Sequence, residues 1–102
     1  MSAKERIEDI LTKNKVVLFM KGTKQFPQCG FSARACAILQ ELNLEFHDIN
    51  ILEDEELRQG IKEYGNWPTI PQLYIKKQLV GGSDIMIEMY QSGELQGLVK
   101  DL

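Results

Sequence analysis

VVLFMKGTKQFPQCGFSARACAILQEL, Val16 to Leu42, is the stretch from which the architecture can be read. It opens on VVLFM, a short β-branched run that reads as a buried strand. KGTKQFPQ follows as a loop, punctuated by Gly22 and Pro27. From about Gly30 to Leu42 the apolar residues Phe31, Ala35, Ile38, Leu39 and Leu42 recur at helical spacing. A strand that hands over to a helix through such a loop is the first half of a β-α-β unit.

Outward from this unit, Ala3 to Leu11 carries Ile7, Ile10 and Leu11 at helical spacing and predicts a preceding helix. LEFHDINI alternates and predicts a second strand, with Leu44, Phe46 and Ile49 or Ile51 as candidates for its inner face. EDEELRQGIKEYG predicts a helix with an acidic first turn, which suits the macrodipole, and Gly65 as its stop. NWPTIPQLYI holds two prolines and then a strand, Gln72 to Ile75. KKQ turns into LVGG, a hairpin partner. Ser83 or Asp84 is expected to cap a helical region holding Ile85, Ile87, Met89 and Tyr90. Gly93 breaks it, and Leu95, Leu98 and Val99 form a final amphipathic segment. The order helix, β, α, β, α, β, β, α, α implies an α/β fold, a small mixed sheet with helices on both faces. The first crossover is right-handed, but the strand order is left open.

The chain has 102 residues, 43% of them apolar, enough for one domain, spanning 1–102, with one core. Its formal net charge is −3 with acids and bases interspersed. There is no basic stripe, so no nucleic-acid partner is expected. The longest apolar run, Val16 to Met20, is far too short to span a bilayer. MSAKERIEDILTKN carries acids and shows no apolar signal core. Two cysteines do not make a secreted disulfide scaffold, so a reducing compartment is expected. That means a bacterial cytoplasm, or an organelle matrix after removal of a transit peptide.

The chemistry centres on Cys29, which falls just before the second helix. Free N–H groups and the positive dipole end there favour an anion, and a thiolate is one. Lys21, at the other end of the loop, adds positive charge. Pro27 and Gly30 shape the loop around the sulfur. Two readings fit: a reactive or metal-ligating thiolate, or a loop cysteine without chemistry. Ser32 stands where a Cys-x-x-Cys pair would place its second thiol. Cys36 lies seven residues on, roughly 10 Å along a helix axis, beyond disulfide reach. It reads as a small hydrophobe in the core. An iron–sulfur cluster takes about four thiolates or near equivalents. One chain here offers one, so any cluster would need thiols from a second copy, a small thiol, or both.

KGTKQFPQCGFS, NWPTIPQLYI and VGGSDIMIEMYQSGELQ together closely resemble the monothiol glutaredoxins with a CGFS site, over essentially the whole chain. The resemblance implies a thioredoxin-like fold with a four-stranded mixed sheet, and glutathione bound beside Cys29. It implies a [2Fe–2S] cluster bridging a homodimer, each protomer giving one cysteine and one glutathione thiolate, and a monomer when the cluster is absent. It implies cluster delivery to apo iron–sulfur client proteins and pairing with a BolA-like protein, with weak dithiol reductase activity. By position, Cys29 is the cluster ligand and the thiol facing glutathione. Lys21 and Arg58 resemble the basic residues that hold the glycine carboxylate. Ile70, before Pro71, resembles the residue whose backbone pairs with the cysteinyl part, and the family has Pro71 in cis. Ser83 and Asp84 resemble the pair at the γ-glutamyl end, with Gly82 giving close approach. Many relatives carry Cys where this chain has Ser83, which makes the monothiol reading firmer.

The residue chemistry suits that ligand. Glutathione has two carboxylates and one ammonium group. An arginine grips a carboxylate with two parallel hydrogen bonds, an acid suits the ammonium, and a helix start suits the other carboxylate. Trp67 is read as a stacking surface or a packing residue, and Thr69 as a loop-orienting residue. His47 is read as an ordinary strand histidine, with metal ligation beside a partner as the other option. Three functions remain: cluster carriage, glutathione-dependent reduction through Cys29, and an iron-sensing adaptor. The long loop and Phe31 before Ser32 favour carriage by resemblance.

Overall fold

A computed structural model describes residues 1–102. Its elements are α1 (Ala3–Lys13), β1 (Val16–Met20), α2 (Gly30–Glu41), β2 (His47–Asn50), a short 3-10 turn (Ile51–Glu53), α3 (Glu55–Tyr64), β3 (Gln72–Ile75), β4 (Gln78–Gly81), α4 (Ser83–Ser92) and α5 (Glu94–Val99). The sheet order is β2-β1-β3-β4. β1 and β2 run parallel, and the other pairs run antiparallel.

All five residues of β1 are buried because the strand is central and covered on both faces. Its alternation divides the core in two. Val16, Leu18 and Met20 pack with Ala35, Ile38 and Leu39 of α2, Met86 of α4 and Leu95 of α5. Val17 and Phe19 pack with Ile7 and Leu11 of α1 and Leu57 and Ile61 of α3. The expected architecture is therefore observed.

Three local expectations change. The second strand spans only His47–Asn50, and its candidate residues do not share one face. Leu44 and Phe46 join the α2 side, whereas Ile49 and Ile51 join the α1–α3 side. A sheet covered on both faces has no single inner face. Gly65 ends α3 as expected, with φ −87°. It is needed for space, since a Cβ there would collide with the Tyr74 hydroxyl. The helix before it is capped by Asp54, whose carboxylate accepts from the Leu57 N–H at 3.1 Å. At α4 neither Ser83 nor Asp84 is the cap. Gly82 holds that position with no side-chain hydrogen bond, and Ser83 is the first helical residue.

The β3–β4 hairpin closes on Lys76 and Lys77, both at positive φ (49° and 69°). That is the backbone of a two-residue primed turn, made without the usual glycine. The Ile70–Pro71 bond is cis, as the resemblance implied. No helix is long and apolar enough to cross a membrane.

Candidate functional site

Cys29 is the N-cap of α2, in extended conformation (φ −154°, ψ 144°), and makes no side-chain capping bond. Its sulfur therefore lies at the start of α2, beside the N–H groups of the first turn. Partial burial pushes the thiol pKa up. The backbone N–H and hydroxyl of Ser32, the N–H of Phe31 and the charge of Lys21 outweigh that, and leave it below the ordinary value. Ser32 is wholly buried, and its Oγ also accepts from the Lys21 N–H at 3.0 Å. It ties the end of β1 to the first turn of α2.

Cys36 is 2% exposed, its Sγ 3.5 Å from the Met20 sulfur. Burial, then the nearby Asp48 carboxylate, pushes its thiol up to about 11. It is the core residue expected. No group of three His, Cys, Asp or Glu side chains converges to hold a metal ion.

The loop before Cys29 is stapled rather than loose. The Gln28 N–H donates to the Lys21 carbonyl at 2.9 Å, and Thr23 and Phe26 exchange backbone hydrogen bonds. The Gly22 N–H reaches Asn50 Oδ1 (2.9 Å) and the Lys24 N–H reaches Asp48 Oδ2 (2.8 Å), which anchors the loop to β2. Gly22 has φ +89°, and a Cβ there would strike the Phe26 carbonyl and Gln28 nitrogen. Gly30, by contrast, has open space where a Cβ would go. His47 is exposed on β2, with no converging ligands.

A cavity of about 420 Å³ gathers five of the six expected site residues: Lys21, Arg58, Ile70, Ser83 and Asp84. Cys29 does not itself line it, although Lys21 and Phe31 from the same loop–helix junction do. One side is cationic. Arg58 and Lys62 come from α3, and Lys21 from the end of β1. Neither lysine has an ion-pair partner, and Arg58 reaches only Glu55, at 3.8 Å. The opposite side is the start of α4, where Gly82 to Ile85 line the cavity. Gly82 is the cap with no side-chain bond, so the first N–H groups of that helix are free for an anion. Asp84, exposed at the same point, supplies the one carboxylate.

The wall between them is Trp67 to Pro71. Neither the N–H nor the C=O of Ile70 has a partner within the chain. Two donors lining the cavity, Arg58 Nε and Trp67 Nε1, are shut off from solvent and also have no acceptor. Sequence reasoning missed Lys62 and the cavity role of Phe31. Lys62 was reachable, since it sits four residues after Arg58 and thus on the same helix face.

The arrangement has room and charge for a small peptide-like anion. Cations face one of its ends and a helix start with one carboxylate faces the other, with free backbone between.

The glutaredoxin family profile matches residues 16–80. A monothiol glutaredoxin of the ycf64-like type from Synechocystis is 58% identical over 97 residues, covering 95% of this chain and 91% of that protein. The solution structure of reduced apo GrxS14 from poplar superposes with a TM-score of 0.86 at 57% identity, covering 96% and 90% of the two chains. The buckwheat glutaredoxin–glutathione complex shares the fold, with a TM-score of 0.86 at 19% identity over 97% and 88% of the chains.

Proposed function

This chain belongs to the monothiol branch of the glutaredoxin family, and from that premise we propose that it binds glutathione in the cavity and carries a [2Fe–2S] cluster between proteins. The observation that carries this reading is the pairing of one activated thiol with a cavity of matching charge. Cys29 is the single accessible thiol, and Cys36 is sealed away. The glycine carboxylate of glutathione suits Lys21 and Arg58. The unpaired backbone of Ile70 suits the cysteinyl unit, as in strand addition. The free N–H groups at Ser83 and Asp84 suit the γ-glutamyl carboxylate, and the Asp84 side chain suits the ammonium. Glutathione held there supplies a second thiolate beside Cys29, and two such protomers supply four. The cluster is cargo on this account, the protein is a homodimer while loaded and a monomer when empty, and apo iron–sulfur proteins and a BolA-like protein are its partners.

The lowered thiol also supports a second reading. The Cys29 thiolate attacks a glutathionylated protein thiol, releasing the protein thiolate and forming a Cys29–glutathione disulfide. A second glutathione thiolate then breaks that bond, giving glutathione disulfide and restoring Cys29. No second protein thiol is required.

Anaerobic reconstitution with iron, sulfide and glutathione separates the roles of the two cysteines. Cluster absorption should survive Cys36→Ser and vanish in Cys29→Ser. Equal loss in both variants would contradict the assignment. Rapid turnover of a glutathionylated substrate, without cluster formation, would favour the reductase.

A further inference from the structure

The cavity wall owes its shape to one buried side chain outside it. Gln72, the first residue of β3, has no solvent exposure and does not line the cavity. Its amide nitrogen donates to the Trp67 carbonyl at 2.9 Å and lies 3.3 Å from the Thr69 carbonyl. Its oxygen accepts from the Tyr74 hydroxyl at 3.1 Å. The two carbonyls, which can only accept, fix which end of the amide faces the loop, and the hydroxyl satisfies the other end. Gly65 keeps this knot open, since a Cβ there would strike the Tyr74 hydroxyl and sit 3.1 Å from the Gln72 oxygen. A fully buried glutamine with every bond made is expensive to misplace, and this one spends its donors on the segment that walls the cavity.

The direction of those bonds matters. In a trans peptide the carbonyl of one residue and the N–H of the next point to opposite sides. The Thr69–Ile70 bond is trans, because the chain's one cis bond is Ile70–Pro71. Pulling the Thr69 carbonyl back toward Gln72 therefore turns the Ile70 N–H the other way, and that N–H has no partner in the chain. We infer that Gln72 is a positioning residue, which aims the Ile70 N–H into the cavity by holding the Thr69 carbonyl from behind. The inference rests on the reading of the cavity as a glutathione site, and deepens it. Nothing about Gln72 touches the ligand, so its effect passes entirely through the Ile70 peptide.

Glutathione itself is the probe, titrated into the ¹⁵N-labelled protein while the Ile70 amide resonance is followed. In the parent chain that resonance moves strongly on binding. In Gln72→Leu affinity falls about tenfold, the cost of one misdirected hydrogen bond, and the Ile70 resonance no longer moves. The Cys29 alkylation rate stays at the parent value. Tyr74→Phe, which keeps Gln72 but leaves its buried amide oxygen without the hydroxyl partner, gives the same loss in smaller measure and serves if Gln72→Leu does not fold. Parent-like affinity and an unchanged Ile70 shift in whichever variant folds would overturn the inference alone. No binding of glutathione by the parent chain would overturn it together with the glutathione reading.

Discussion

Ser32 occupies the place of a second thiol and has been given other work. Its hydroxyl accepts from the Lys21 N–H and helps lower the Cys29 thiol below its ordinary pKa. Ser32→Ala removes both functions while leaving the helix start intact. The Lys21 N–H then loses its acceptor, at about 1 kcal/mol of stability. The pH midpoint for alkylation of Cys29 by iodoacetamide should rise, because one of the groups that lowers its pKa has gone. An unchanged midpoint would mean that the backbone N–H groups and Lys21 suffice. Cys29 was legible in the sequence from its place at a loop–helix junction, whereas the part played by Ser32 was not. Lys62 was legible by spacing but overlooked. Gln72 carried no local signal: an amide in an ordinary strand shows its purpose only when the loop before it folds back.

Among the elements, the helices were the most readable, because their apolar periods run over ten or more residues. The four-residue β2 was not. A pattern that short cannot say which face a residue takes when both faces are covered, so Phe46 and Ile51 lie on opposite sides. The β3–β4 turn shows a different mismatch. Lys76 and Lys77 both adopt left-handed conformations that L-residues disfavour, and the sequence carries none of the usual turn chemistry. Lys77→Gly relieves that strain and should raise stability by about 1 kcal/mol in a denaturant titration. At α3 the effect runs the other way. Asp54→Ala removes the N-cap and the ion pair to Arg6 that ties α3 to α1, and should cost about 1–2 kcal/mol.

For the molecule as a whole, buried acidic groups set an alkaline limit. Burial pushes Cys36 from its ordinary 9.0 up to about 11. Burial, with the nearby Glu8, pushes Tyr64 from 10.0 up to about 12, and burial does the same to Tyr74. A raised folded-state pKa on such groups means that the unfolded chain releases its protons first. The contribution of these three groups is then constant below pH 9 and falls as pH rises, between 9 and about 11 for Cys36 and between 10 and about 12 for the tyrosines. Cys36→Ala should flatten the first part of that decline by about 2–3 kcal/mol at its upper end. Urea midpoints measured across this range would show it, and an identical slope in both proteins would contradict it.

The fold buries Cys36 and presents Cys29, and the proposed cluster carriage depends on that difference. The most direct test is native mass spectrometry with visible absorption on protein reconstituted anaerobically, with and without glutathione. A coloured dimer holding one [2Fe–2S] unit and two glutathione molecules, and colourless monomer when glutathione is left out, is the result expected. A stable iron–sulfur centre in a single glutathione-free chain would contradict the account at its root.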